Sequence, residues 1–138
     1  MNNLKIPKDR VGVLIGKKGQ IKRVIEKNTE TKIIVDKEGE IVIEGEGVNV
    51  YNANTIIKAI GRGFNPNIAL TLLDEENCIE VINIKDLAGK SEKKLVRKKA
   101  RIIGAKGKAR KVIENLTNTE IVIYGKTISI IGKIENVD

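Results

Sequence analysis

The chain has 138 residues, 32% of them charged and 41% hydrophobic, and a formal net charge of +8. Its single cysteine, Cys78, excludes an internal disulfide and a cysteine metal cluster, and it has no histidine. No apolar run approaches the ~18 residues of a membrane span, and no signal-peptide hydrophobic region opens the chain. A cytoplasmic protein with a polyanionic partner is therefore the expectation.

In chain order, Leu4-Lys5-Ile6-Pro7 alternates and stops at proline, which predicts a short strand. Residues 9–15 predict a short helix. It runs into Ile15-Gly16-Lys17-Lys18-Gly19, two glycines three apart with two lysines between them. Glycine lets the backbone turn tightly and approach a partner closely. A helix starting just after Gly19 would add its N–H groups and positive dipole end to the lysine charge, so the expected guest is a phosphate. Residues 20–28 carry Ile21, Val24 and Ile25 on one face and Lys22, Arg23, Glu26 and Lys27 opposite. Thr31–Asp36 and Ile41–Ile43 read as a hairpin around Asp36-Lys37-Glu38-Gly39. From Val48 to about Gly61 the period is helical again. Gly61 and Gly63 end that helix. Asn65 can cap a new one with Pro66 in its first turn. Its apolar side, Ile68, Ala69, Leu72 and Leu73, is expected to lie between two halves of the molecule. Ile79–Ile84 starts a further strand.

The motif then returns. Arg101-Ile102-Ile103-Gly104-Ala105-Lys106-Gly107-Lys108-Ala109-Arg110-Lys111 lies 88 positions downstream, and residues 15–36 laid over 103–124 give ten identities in 22 positions without a gap. They include Gly16/Gly104, Gly19/Gly107, Glu26/Glu114 and Ile33/Ile121. A period this long means tandem domains rather than a solenoid. The expected division is 1–64, a bridging helix over 65–76, and 77–138. Glu120–Tyr124 and Thr127–Ile131 repeat the hairpin around Gly125-Lys126. Six residues follow Gly132, so the closing helix of the second copy is expected to be absent. The core must be aliphatic: isoleucine occurs 24 times and aromatics number three, Tyr51, Phe64 and Tyr124. Charge is uneven. Residues 89–111 hold eleven basic side chains and one acid, a local +10.

The Ile-Gly-x-x-Gly stretch with its basic flanks resembles the signature of the KH domain. That resemblance implies an α+β fold: two type I (eukaryotic-type) KH domains in tandem, each β-α-α-β-β(-α), with helices on one face of a three-stranded antiparallel sheet. It also implies a loop that clamps the backbone of about four single-stranded nucleotides. The whole arrangement, with Gly61-Arg62-Gly63-Phe64-Asn65-Pro66 between the copies and Tyr124-Gly125-Lys126-Thr127 in the last hairpin, is similar to the archaeal tandem-KH ribosomal RNA-processing family. The eukaryotic relative of that family is the partner-of-Nob small-subunit assembly factor. The family implies single-stranded RNA as partner, at the 3′ end of small-subunit ribosomal RNA, and the translation initiation factor two α-subunit as a further partner. A monomer without cofactor, metal or membrane association is expected.

The expected RNA-binding residues are Ile15, Gly16, Lys17, Lys18, Gly19, Ile21, Lys22 and Arg23 in the first copy. In the second they are Arg97, Lys98, Arg101, Ile103, Gly104, Ala105, Lys106, Gly107, Lys108, Arg110 and Lys111, with Lys99 in the same basic run. The expected groove lies between loop, helices and following strand. Its apolar floor would be Ile15, Ile21, Ile103 and the aliphatics of 32–35 and 120–123. With few aromatics, base recognition should rest on strand backbone and shape rather than stacking. The competing readings are a structural turn for each loop and a solvated face for the basic run, and, for the whole chain, a general KH module for RNA or single-stranded DNA or a KH scaffold serving mainly protein–protein interaction. Glu26 and Glu114 occupy equivalent helix positions and predict pairing with a neighbouring lysine, Lys22 or Lys27 in the first copy, rather than catalysis. No nucleophile–base pair or phosphate-binding lysine motif points to an enzyme.

Overall fold

The computed structural model describes residues 2–83, 114 and 119–134. The chain divides into two compact units, Met1–Glu75 and Glu76–Asp138. In the first, β1 (Asn2–Lys5) leads through Pro7 into α1 (Lys8–Ile15), a 3-10 turn (Lys17–Gly19) and α2 (Gln20–Thr29). Then follow β2 (Lys32–Val35), β3 (Glu40–Glu44) and α3 (Gly47–Gly61). The sheet order is β1-β3-β2, both pairings antiparallel. Strand β2 therefore lies at an edge.

The alternation of β2 and β3 decides what is buried. Ile33 pairs with Ile43, and Val35 with Ile41. Residues opposite one another share a face, so Ile33, Ile41 and Ile43 point inward, each at most 1% exposed, while Ile34 is 46% exposed on the other side. Against the inner face lie Leu14 of α1, Ile25 of α2 and Val50, Ala53, Ile56, Ile57 and Ile60 of α3, all buried. Each fully buried aliphatic side chain contributes about 1.5–3 kcal/mol of transfer free energy, which is how so small a unit supports a core without aromatics beyond Phe64. The turn between β2 and β3 is held by Asp36, whose Oδ1 accepts from the N–H of Glu38 and of Glu40, both at 2.9 Å.

Helix α3 ends where Arg10 meets it. Arg10 Nε donates to Ile60 O at 2.8 Å and Nη2 to Phe64 O at 2.9 Å. Phe64 is fully buried. The chain then enters α4 (Pro66–Ala69) and a 3-10 turn (Leu70–Leu73). Asn65 caps α4 as expected, its Oδ1 accepting from Asn67 N at 2.9 Å. Ala69 and Leu72 are buried. Both short helices contact α3 of the first unit.

In the second unit, β4 (Asn77–Asn83), β5 (Glu120–Tyr124) and β6 (Thr127–Lys133) form an antiparallel sheet ordered β4-β6-β5. This is the strand arrangement of the first unit. The hairpin is tighter, however. Tyr124 pairs with Thr127, leaving only Gly125 and Lys126 in the turn, whereas Val35 pairs with Ile41. Ile121 therefore faces Ile130, while its repeat equivalent Ile33 faces Ile43. The offset slips from 88 to 87 across the turn and the core face is kept. β6 is buried on both sides, at Ile128 on one, with Ile130 partly buried beside it, and at Ser129 and Ile131 on the other. Ile134, just past β6, is helical; the residues after it, where the closing helix is expected to be missing, and the helix over 108–116, Glu114 apart, lie outside the described residues. Among the described residues no helix is long and apolar enough to cross a membrane.

Candidate nucleic-acid interface

The loop between α1 and α2 is built on three residues with positive φ. Gly16 has φ 72° and ψ −178°, Lys18 φ 54° and ψ 30°, and Gly19 φ 74° and ψ 14°. The Gly16 combination is nearly closed to residues with a Cβ. A Cβ there would also sit 2.3 Å from Ile21 Cγ1, so Ile21 packs directly on the Gly16 backbone. Gly19 N donates to Gly16 O at 3.2 Å and Gly16 N to Gly12 O at 2.9 Å, which closes the turn. Helix α2 starts at Gln20, as the sequence predicts, with its positive dipole end at the loop.

Lys17 and Lys18 are exposed on this turn, as is Arg23 one turn into α2. Lys22 is half-buried, its Nζ 3.7 Å from Glu26 Oε1. Ile15 and Ile21 are half-buried beside the loop. The residues expected in the first site are thus brought together: cations and glycine backbone at the helix start, with partly exposed aliphatics next to them. The expected strand floor separates into two kinds. Ile33 is a core residue, while Val35 remains half-exposed.

Glu26 does more than the expected pairing with Lys22. Its Oε2 accepts from the backbone N–H of Ile33 at 2.8 Å. That N–H points away from β3, at the free edge of the sheet, so α2 and β2 meet through this carboxylate. Sequence reasoning missed the bond because its partners lie seven residues apart in different elements. The repeat of Glu26 and Ile33 in Glu114 and Ile121 was the available signal. In the second unit Glu114 Oε2 accepts from Ile121 N at 2.9 Å. The junction before the strand is also reproduced: Thr31 N donates to Glu26 O and Thr119 N to Glu114 O, both at 3.1 Å. The remaining second-copy candidates, Arg97, Lys98, Lys99, Arg101 and Ile103 through Lys111, lie outside the described residues.

A KH-domain family model matches residues 2–59, and the model of the second PNO1 KH domain, a eukaryotic-type (type I) KH domain, matches residues 78–138. KH domain-containing protein MJ0443 of Methanocaldococcus jannaschii is 48% identical over 139 residues, covering 97% of this chain and 61% of that protein. RNA-binding protein pno1 of Dictyostelium discoideum is 29% identical over 118 residues, 85% of this chain and 48% of that protein. The chain thus spans about half to three-fifths of the length of these curated relatives. The crystal structure of Dim2p from Pyrococcus horikoshii superposes with a TM-score of 0.87 at 44% identity, covering 99% of this chain and 82% of that one. A second structure, of an a/eIF2alpha–aDim2p–rRNA complex from the same organism, has a TM-score of 0.88 at 44% identity, covering 99% of this chain and 77% of that one. Two KH matches in tandem, a PNO1-type second domain and this likeness to Dim2p over nearly the whole chain leave one assignment: the chain belongs to the archaeal PNO1/Dim2-like family of tandem KH proteins.

Proposed function

We propose that the chain binds single-stranded RNA, at the 3′ region of small-subunit ribosomal RNA, as a non-catalytic cytoplasmic factor in ribosome assembly and rRNA processing. The observation that carries this reading is the Gly16–Gly19 loop. Two exposed lysines stand on a turn of positive-φ residues at the start of a ten-residue helix. Such a turn concentrates cationic charge, a helix dipole and close backbone approach on one small spot, which suits a phosphodiester. Half-buried Ile15 and Ile21 beside it supply apolar surface for bases. The names of the relatives, an RNA-binding protein pno1 and pre-rRNA-processing PNO1 proteins, support RNA as the ligand. The solved complex of a similar chain with rRNA and a/eIF2alpha supports ribosomal RNA, and the translation initiation factor two α-subunit as protein partner.

The test is competition at fixed salt between the 3′-terminal segment of small-subunit rRNA and scrambled oligonucleotides of equal length, on wild type and on K17D/K18D. The 3′ segment should win, and the loop variant should bind every RNA more weakly while keeping its melting curve. Equal binding of both oligonucleotides removes the ribosomal assignment and leaves a general single-strand binder. Unchanged affinity in the folded loop variant removes RNA binding at this loop.

A further inference from the structure

Helix α3 gives Val50, Ala53, Ile56, Ile57 and Ile60 to the core and exposes Val48 and Tyr51 on its other face. These two are 74% and 69% exposed and stand one turn apart at the start of the helix. Among the described residues only Ile34 and Ile134 are also large, hydrophobic and exposed. Of the other aromatic residues, Phe64 is buried and Tyr124 half-buried. Single exposed apolar side chains are ordinary on a protein surface. An exposed tyrosine with an apolar neighbour on a rigid helix is what the centre of an interface carries.

The charge around this pair is the reverse of the molecule's. Residues 44–57 hold two glutamates, Glu44 and Glu46, and no base, in a chain of net charge +8. Both are exposed, as is Glu30 at the end of α2. A Cβ on Gly45 would lie 3.4 Å from Glu30 O, so the end of α2 abuts the connection from β3 to α3. Among the described residues ion pairs hold Glu26, Glu38 and Glu40 but none of these three. Lys27 on α2 and Lys32, opposite Glu44 in the sheet, leave the group net negative. The lysine loop lies at the other end of α2, about 15 Å away along its ten residues. Carboxylates at this end repel a phosphate chain and an anionic lipid surface alike.

We propose that the first two turns of α3 are a docking surface for a basic amphipathic segment of another protein. Apolar side chains of that segment pack on Val48 and Tyr51, and its lysines or arginines face Glu30, Glu44 and Glu46. The apolar pair supplies most of the affinity, and the rim of carboxylates sets the encounter rate and the salt dependence. The surface stands apart from the lysine loop, so one unit can hold RNA and protein together.

The probe is a synthetic helical peptide of about 15 residues, long enough to form a helix, with leucines on one face and lysines on the other. It is titrated at physiological salt into the isotope-labelled full chain without RNA, and amide shifts are followed. Shifts should concentrate at Glu30 and over 44–55. V48S/Y51S should weaken binding roughly tenfold, the cost of losing one good anchor, with an unchanged melting curve because both side chains are exposed. E30Q/E44Q/E46Q should flatten the salt dependence. E38Q/E40Q, two carboxylates at the opposite end of β3, and K17D/K18D should bind as wild type does. No binding, or shifts centred elsewhere, overturns the proposal. A loss confined to the glutamate variant also overturns it, since that means charge attraction without an apolar seat. Self-association of wild type without peptide that V48S/Y51S abolishes, read by sedimentation, overturns it in favour of a second copy of this chain.

Discussion

The two glycines of the loop look interchangeable in sequence but not in geometry. Gly16 occupies a backbone region that is essentially glycine-only, with Ile21 pressed against it. Gly19 sits in the ordinary left-handed region, where a Cβ would meet only Arg23 Nη1 at 3.4 Å. Gly16→Ala should therefore cost about 3 kcal/mol, strain and overlap adding, and Gly19→Ala about 1–2 kcal/mol from the left-handed conformation alone. Urea unfolding of the two variants checks the order; equal losses would mean that the loop relaxes freely. Lys18 raises the opposite question, since it holds φ 54° without being glycine. A side chain there costs about 1–2 kcal/mol, against about 0.5–1 for the extra freedom of an unfolded glycine. Lys18→Gly is expected to raise stability by about 0.5–1 kcal/mol while lowering RNA affinity. A variant that gains stability and keeps full affinity would show that Lys18 is not a contact residue.

Elements are fixed by a few bonds that cross between them. Arg10 on α1 is the clearest, because one guanidinium satisfies two carbonyls at the end of α3. Arg10→Ala leaves Ile60 O and Phe64 O without that donor and should cost about 2–4 kcal/mol. Arg10→Lys keeps the charge at the helix C-terminus but cannot fork, so about half the loss should remain. Amide exchange at the last turn of α3 would localise the effect; uniform exchange through the unit would contradict it. Neither this clamp nor the Glu26–Ile33 bond was legible in the sequence, and the reason is the same. Arg10 and its acceptors are 50 and 54 residues apart, and a charged side chain in a helical pattern reads as solvated. What was legible is whatever repeats locally. The apolar period gave α2 and α3, alternation gave the hairpins, and Asn65-Pro66 gave the start of α4. Strand β6 shows the limit of alternation. Ile128, Ser129 and Ile131 are all buried, so a period-2 pattern cannot say which face is covered. Ser129 Oγ, buried and without a hydrogen-bond partner among the described residues, carries no sequence signal at all.

At the scale of the whole molecule the question is how two small sites act as one. In the proposed function each KH loop engages about four nucleotides. Carrying both loops on one chain turns the second binding step into an intramolecular one, with an effective concentration near the millimolar range for a short connection. An RNA of eight or more nucleotides should then bind far more tightly than one of four, and changing either loop to Asp-Asp should erase most of that advantage. The losses should be unequal if the charge distribution matters. The run over 89–111 carries a local +10, whereas residues 1–64 carry twelve basic and eight acidic side chains. Electrostatic affinity falls with salt in proportion to the phosphates neutralised, with a slope of about 0.7 per contact on single strands. Removing Arg97, Lys98, Lys99 or Arg101 one at a time should therefore flatten the plot of log affinity against log salt by about 0.7 each. The loss should be the same for every RNA sequence, because a phosphate contact carries no base information. Salt titrations with two unrelated octamers measure both properties together. A slope that does not move would make the run a solvated face. A loss confined to one octamer would make it a base-reading surface instead.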